Sequence, residues 1–259
     1  MSVREIDDHL KVCGIAEFTA HAGRRREEAS APWPGQMAPD FRLEAVDPQA
    51  PAVCLSELRG GPVALVFGSH SCARVRRVAP EVSSEFNGLS GGVQPLFVYI
   101  AEAHPSDEAP HPRNEREGVR VPLARSRADR RTAAALHVAE FGIRGPAVID
   151  DTADSVATAY GASLGRLYVI DKDGVVHWRS PPGPFGYVVE PWADALRELA
   201  DSGGRTKVTF DPAARRRDQR RLWWTPNPGM ERIRRKLRNA VSPKLVRPAT
   251  RAKGQGGRG

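Results

Sequence analysis

Residues 64–75 read ALVFGSHSCARV. The run Pro62 to Gly68 is continuously apolar and of strand length, as expected for a strand covered on both faces. It stops at Gly68-Ser69-His70-Ser71, and Cys72 then opens a segment that can be helical. In that segment Val75, Val78, Val82, Phe86 and Leu89 keep roughly helical spacing, while Pro80 argues for a kink or an early break. A buried strand handing over to a helix is the first half of a parallel strand–helix–strand unit. Sheets of this kind place reactive groups at the carboxyl ends of strands, and Cys72 stands at such a turn.

Outward from this stretch the same alternation continues. Strands are expected at 94–100 (QPLFVYI), 147–150 (AVID) and 166–171 (RLYVID). Lys172-Asp173-Gly174 then leads into VVHW (175–178), and Asp-Gly between two β-rich runs signals a hairpin. Helices are expected over Arg127 to Phe141, Thr152 to Tyr160 and Glu190 to Ala200, the last with Trp192, Leu196 and Leu199 on one face. The order implies an α/β fold, a mixed central sheet flanked by helices with an antiparallel hairpin at its end.

The charge is unevenly divided. Of 39 Lys/Arg and 31 Asp/Glu, 17 basic and three acidic residues lie from Arg205 onward, leaving 22 basic against 28 acidic residues before it. The organisation expected is a peripheral segment 1–34, a folded domain 35–203 and a basic, partly disordered extension 204–259. Arginine clusters with Trp223-Trp224 could meet an anionic membrane surface or nucleic-acid phosphates through 205–259, or lie solvated against the acidic body. No apolar run approaches the roughly 20 residues of a membrane span. The N-terminal stretch shows no apolar signal region. Cys13, Cys54 and Cys72 are odd in number and far apart, which fits a reducing compartment and lacks zinc spacing. A cytoplasmic location is expected, with peripheral membrane contact an option through the extension.

A thiol at a helix N-terminus faces unpaired amides and the positive end of the helix dipole, both of which favour the thiolate. His70, Arg74, Arg76 and Arg77 are close in sequence, and Arg166 could be close in space. Ser69 and Ser71 can donate to a sulfur anion or a substrate oxygen. The competing reading is a buried structural cysteine.

The residues resemble a known family. GQMAPDF and the stretch ending in GSHSC are similar to the opening of thioredoxin-fold redoxins, peroxiredoxins included. FVYIAEAHPSDE (97–108) and RLYVIDKDGVVHWRSPPGPFGY (166–187) resemble the iodothyronine deiodinase family closely; VPLARSRADR (121–130) and AVIDDTADSVATAYGA (147–162) do so more loosely. The resemblance covers about residues 35–200. It implies a thioredoxin-like fold with Cys72 where the family carries selenocysteine, a group that takes iodine from an iodothyronine ring and is regenerated by thiols. Glu102 and His104 match the family's Glu-Ala-His, which handles the phenol and protons, and Arg166 matches the arginine that begins its Arg-Leu-Tyr strand. The chain departs from the family at His70-Ser71 for Cys-Thr, at Ala73-Arg74 for Pro-Pro, at Ala124 for a histidine and near Gly145 for a cysteine.

The function expected is a deiodinase-like, thiol-dependent oxidoreductase. Cys72 is its nucleophile, Glu102, His104 and Arg166 are its catalytic partners, and Ser69, His70 and Ser71 support them. No metal or cofactor is expected. A small-molecule substrate is, with a thioredoxin or low-molecular-weight thiol as reductant. Two alternatives stand beside it. One is a one-cysteine peroxiredoxin-like peroxidase on Ser69, Cys72 and Arg166. The other is a redox-inactive thioredoxin-fold binding module. Glu102 and His104 could be an ordinary surface pair, Arg166 a rim salt bridge, and His177 structural. Pro184 and Tyr187 shape a turn. Cys54 or Cys13 could resolve an oxidised Cys72.

Overall fold

The computed structural model describes residues 29–89, 92–181 and 187–216. Cys13, Pro184, Trp223-Trp224 and most of the basic extension lie outside the described residues. Seven strands form one mixed sheet. In chain order they are β1 (Arg42–Ala45), β2 (Val53–Cys54), β3 (Val63–Gly68), β4 (Gln94–Tyr99), β5 (Ala147–Ile149), β6 (Arg166–Ile170) and β7 (Val176–Arg179), and in space β2-β1-β5-β4-β3-β6-β7. β3, β4 and β5 run parallel, while β6 is antiparallel to β3 and β7 to β6. The helices are α1 (Ala73–Gly88), α2 (Pro112–Arg116), α3 (Arg127–Phe141), α4 (Ser155–Ala159) and α5 (Val189–Asp201). A parallel β3-α1-β4 unit whose first strand pairs antiparallel with a β6-β7 hairpin, closed by α5, is a thioredoxin-like arrangement.

Every residue of β3 is buried, which explains its unbroken apolar run. One face of the sheet is covered by α1, α3 and α5. There Val75, Val78, Val82 and Phe86 of α1 meet Ala133 and Ala134 of α3 and Trp192, Leu196 and Leu199 of α5. The other face carries Phe41, Leu55, Phe67, Tyr160 and Tyr168, with Ala157 of α4. Burying each large apolar side chain contributes about 1.5–3 kcal/mol. That exceeds the cost of Pro80, about 3 kcal/mol, because four α1 side chains share one buried stripe. The helix therefore continues through Pro80 where the sequence suggested an early break. α3 starts on the Ser126 hydroxyl, which accepts from Asp129 N at 3.1 Å, and stops at Gly142 in the left-handed conformation.

Both flanking segments return to β7. Gly35 N donates to Val176 O, Val176 N to Gln36 O, and Ala38 N to Gly174 O. Trp33 lies under Arg179, with the guanidinium carbon 3.7 Å from the ring centroid. Thr206 hydrogen-bonds Asp171 and meets His177, and Arg205 pairs with Asp173 at 2.7 Å. No helix among the described residues is long and apolar enough to cross a membrane.

Candidate active site

Parallel pairing of β3 with β4 brings Gly68 opposite Tyr99, so the chain leaves both strands at one place. Two turns are stitched together there. The first is Ser69-His70-Ser71-Cys72, and the second is Ala101 to His104. The Glu102 carboxylate accepts from Ser71 N at 2.7 Å and from the Tyr99 hydroxyl. His104 N donates to Ser71 Oγ at 2.9 Å and Ala103 N to Ser69 Oγ at 3.3 Å. His70 N donates to Tyr99 Oη at 3.0 Å. Ser69 and Ser71 thus hold the second turn, where the sequence had suggested that they serve the sulfur or a substrate.

A second layer of contacts fixes the first turn. Arg76, one helical turn into α1, donates to His70 O at 2.6 Å and to Asn114 Oδ1 and Glu117 at 2.7 Å. Asn114, on α2, donates to Ser71 O at 2.7 Å. The His70 ring turns toward α3. Its Nδ1 lies 3.3 Å from His137 Nδ1, and its Nε2 lies 3.6 Å from Glu140. The His104 and His111 rings lie tilted against each other with centroids 4.7 Å apart. Tyr99, Asn114 and His137 were not singled out in the sequence. Tyr99 alone carried a signal, as the polar end of an apolar strand.

Cys72 is the N-cap residue of α1, and only 7% of its surface is exposed. Burial pushes its thiol above the ordinary value, and the Glu102 charge adds to this. The amides of Val75 and Arg74, with the Arg76 guanidinium, pull the other way. They do not prevail, since burial is the larger influence. The expectation of a thiol whose surroundings lower it toward neutrality is therefore corrected: burial pushes the sulfur the other way. Glu102 is buried as well, and burial pushes its carboxyl up while the Ser71 and Tyr99 hydrogen bonds hold it down. Burial also lowers His70, and His137 is pushed down to about 3.

Arg166 is fully buried and starts β6 opposite Phe67. Its Nε donates to Ser180 O at 2.9 Å and its Nη1 to Gly161 O at 3.2 Å, with the guanidinium over the Tyr168 ring. Strand alternation puts it on the side of Phe67 and Tyr168, whereas Cys72 packs with Leu167 on the other. Arg76 is a cation that acts on the thiol. Tyr187 is buried near Cys72. Its hydroxyl donates to Phe67 O, and its own carbonyl accepts from Arg74 at 3.2 Å. Gly165, at φ +79°, makes room for it, because a Cβ there would overlap the Tyr187 hydroxyl. Cys54 sits in β2, four strand spacings from β3, or roughly 19 Å. That separation excludes a bond to Cys72 without rearrangement.

A thioredoxin-like scaffold with a cysteine at the first strand–helix turn and a Glu-Ala-His turn beside it defines the class. The family model described as iodothyronine deiodinase matches residues 7–199, and the chain belongs to that family. Among curated relatives it is similar to human (Homo sapiens) thyroxine 5-deiodinase, 30% identical over 192 residues, covering 71% of this chain and 60% of that protein. It is also similar to type II iodothyronine deiodinase of Petromyzon marinus, 35% identical over 144 residues, covering 54% of this chain and 48% of that one. The chain thus spans about 60% of the length of the first of these. A similar solved structure is that of an uncharacterized conserved protein from Geobacillus kaustophilus. It is 20% identical with TM-score 0.49, covering 70% of this chain and 93% of that one.

Proposed function

We propose that this chain is a thiol-dependent oxidoreductase that reductively removes iodine from an iodinated phenol, with Cys72 as the iodine acceptor. One observation carries the reading: the Cys72 sulfur lies at the N-terminus of α1 within reach of the Glu102 charge, and Glu102 is locked to the same turn through Ser71. In the first step the carbon–iodine bond breaks, iodine bonds to the Cys72 sulfur, and carbon keeps the electron pair and takes a proton. The balance is R–I plus enzyme-SH giving R–H plus enzyme-S–I. Burial raises both the Cys72 thiol and the Glu102 carboxyl, which favours each as holder of the one proton this step needs. An external thiol then attacks the sulfenyl iodide, releasing iodide and a proton and leaving a mixed disulfide. A second thiol frees Cys72 and departs as a disulfide. A thioredoxin or small thiol fits this role, since Cys54 is out of reach.

In this reading Glu102 and His104 bind the phenol or move its proton, and Arg166 clamps the fold from the opposite face. The extension from 205 is proposed to set location through an anionic membrane surface or a nucleic acid. The burial of Cys72 favours one other reading, a redox-silent binding module. Iodide release from iodinated phenols, with a dithiol as reductant, separates the two. Release that vanishes in Cys72→Ser supports the dehalogenase. No release from protein whose Cys72 labels with iodoacetamide overturns it. Trapping of a Cys72 sulfenic acid by stoichiometric peroxide would instead point to a peroxidase.

A further inference from the structure

Asp154 is the one non-glycine residue with positive φ (54°) among the described residues. It occupies the N-cap of α4, where an aspartate ordinarily accepts from its own helix, yet it makes no capping hydrogen bond. The first-turn amides of α4 are served by others. Asp151 Oδ1 accepts from Ser155 N at 3.0 Å, and Asp150 accepts from Val156 N at 3.2 Å and Ala157 N at 2.7 Å. The Asp154 carboxylate instead crosses to the end of β4. Its Oδ1 accepts from Ala101 N at 3.0 Å and from Arg130 Nη1 at 2.5 Å. Arg130, on α3, is 2% exposed and also donates to Asp151 O, which ties α3, the β5–α4 loop and the Ala101 turn at one point. A local capping role is given up for a long-range one, and a strained backbone is kept to do it. Glycine would take this conformation without strain but could not reach Ala101.

Ala101 directly precedes Glu102. We propose that Asp154 and Arg130 are positioning residues for Glu102: Asp154 pins the Ala101 amide, Arg130 holds Asp154, and together they set the Glu102 carboxyl against Ser71 N and the Tyr99 hydroxyl. The Arg130 charge also acts on both Glu102 and Tyr99, lowering each against the rise that burial causes. The inference rests on Glu102 belonging to the active site proposed above.

The test follows the Glu102 carboxyl itself, by infrared titration of the full chain, with its band assigned by loss in Glu102→Gln. Asp154→Gly releases the Ala101 amide. The expected result is a Glu102 titration moved to higher pH, with kcat/KM for iodide release falling about tenfold or more, as a misplaced group costs. Asp154→Asn keeps a carbonyl acceptor and tolerates the backbone, and both readouts stay near those of the unaltered protein. An unmoved titration in folded Asp154→Gly overturns the proposal, whatever the turnover. If Asp154→Gly does not fold, Arg130→Gln decides: its Glu102 titration moves up, or the proposal fails. Absence of iodide release from the unaltered protein, with a titration that moves as expected, sinks only the dehalogenase reading.

Discussion

Cys72 and Arg166 lie at the same end of the sheet, one after β3 and the other at the start of the neighbouring β6, yet they serve different faces. The turn holding Cys72 is fastened by contacts that converge on it from β4, α1 and α2. Arg166 is fastened to the carbonyls of Ser180 and Gly161 and belongs with the tyrosines behind the sheet. Closeness in a fold is thus set by alternation along a strand as much as by which strands are neighbours. A cation in register with an active-site strand can be fully buried and still have structural work.

The comparison is sharpest at the thiol. Cys72→Ser should cut iodide release by about three orders of magnitude or more, with the urea midpoint nearly unchanged. Glu102→Gln should cost about 100-fold in kcat/KM, since it removes a proton-transfer group while keeping the shape. Arg166→Met should do the reverse. Leaving the Ser180 and Gly161 carbonyls without this donor destabilises by about 2–5 kcal/mol in urea unfolding, while iodoacetamide labelling of folded protein keeps its pH profile. A changed profile would break the division between the faces.

The pH dependence of stability tests the same side of the sheet. His137 is pushed down to about 3 in the folded chain against an ordinary 6.5, so between these values the unfolded chain binds the extra proton. Stability should therefore fall as pH drops below 6.5, by up to about 1.4 kcal/mol per unit from this group, and His137→Phe should flatten that slope. The smallest effect belongs to Cys54→Ser. At the far edge of the sheet it should alter stability by under about 0.5 kcal/mol and leave turnover unchanged.

The parts of the fold that were legible from sequence are those whose stability is local or whose burial is complete. β3, β4 and β6 announce themselves as apolar runs because both faces are covered. α3 begins and ends where its capping serine and glycine stand. β1, β2 and α2 escaped because they are two to five residues long and held by distant partners, as Asn114 is by Ser71 and Arg76. At the site, Cys72, Glu102 and His104 were legible through the strand–helix turn and the Glu-Ala-His stretch. The upward push on the Cys72 thiol was not, because amides and cations are visible in a sequence and the hydrocarbon around a sulfur is not. Asp154 fell inside the helix expected over Thr152 to Tyr160, and only its coordinates show where the carboxylate goes.

The Tyr99 hydroxyl has a single hydrogen, and it is directed at Glu102. The Ser71 amide and hydroxyl are directed at the same carboxyl. Every one of these neighbours gives a hydrogen, so an acidic hydrogen on Glu102 must turn one of them aside. The apolar surroundings favour that hydrogen and the neighbours oppose it, with burial the larger influence. A bound molecule that rotates one of these hydroxyls would change how readily the hydrogen moves.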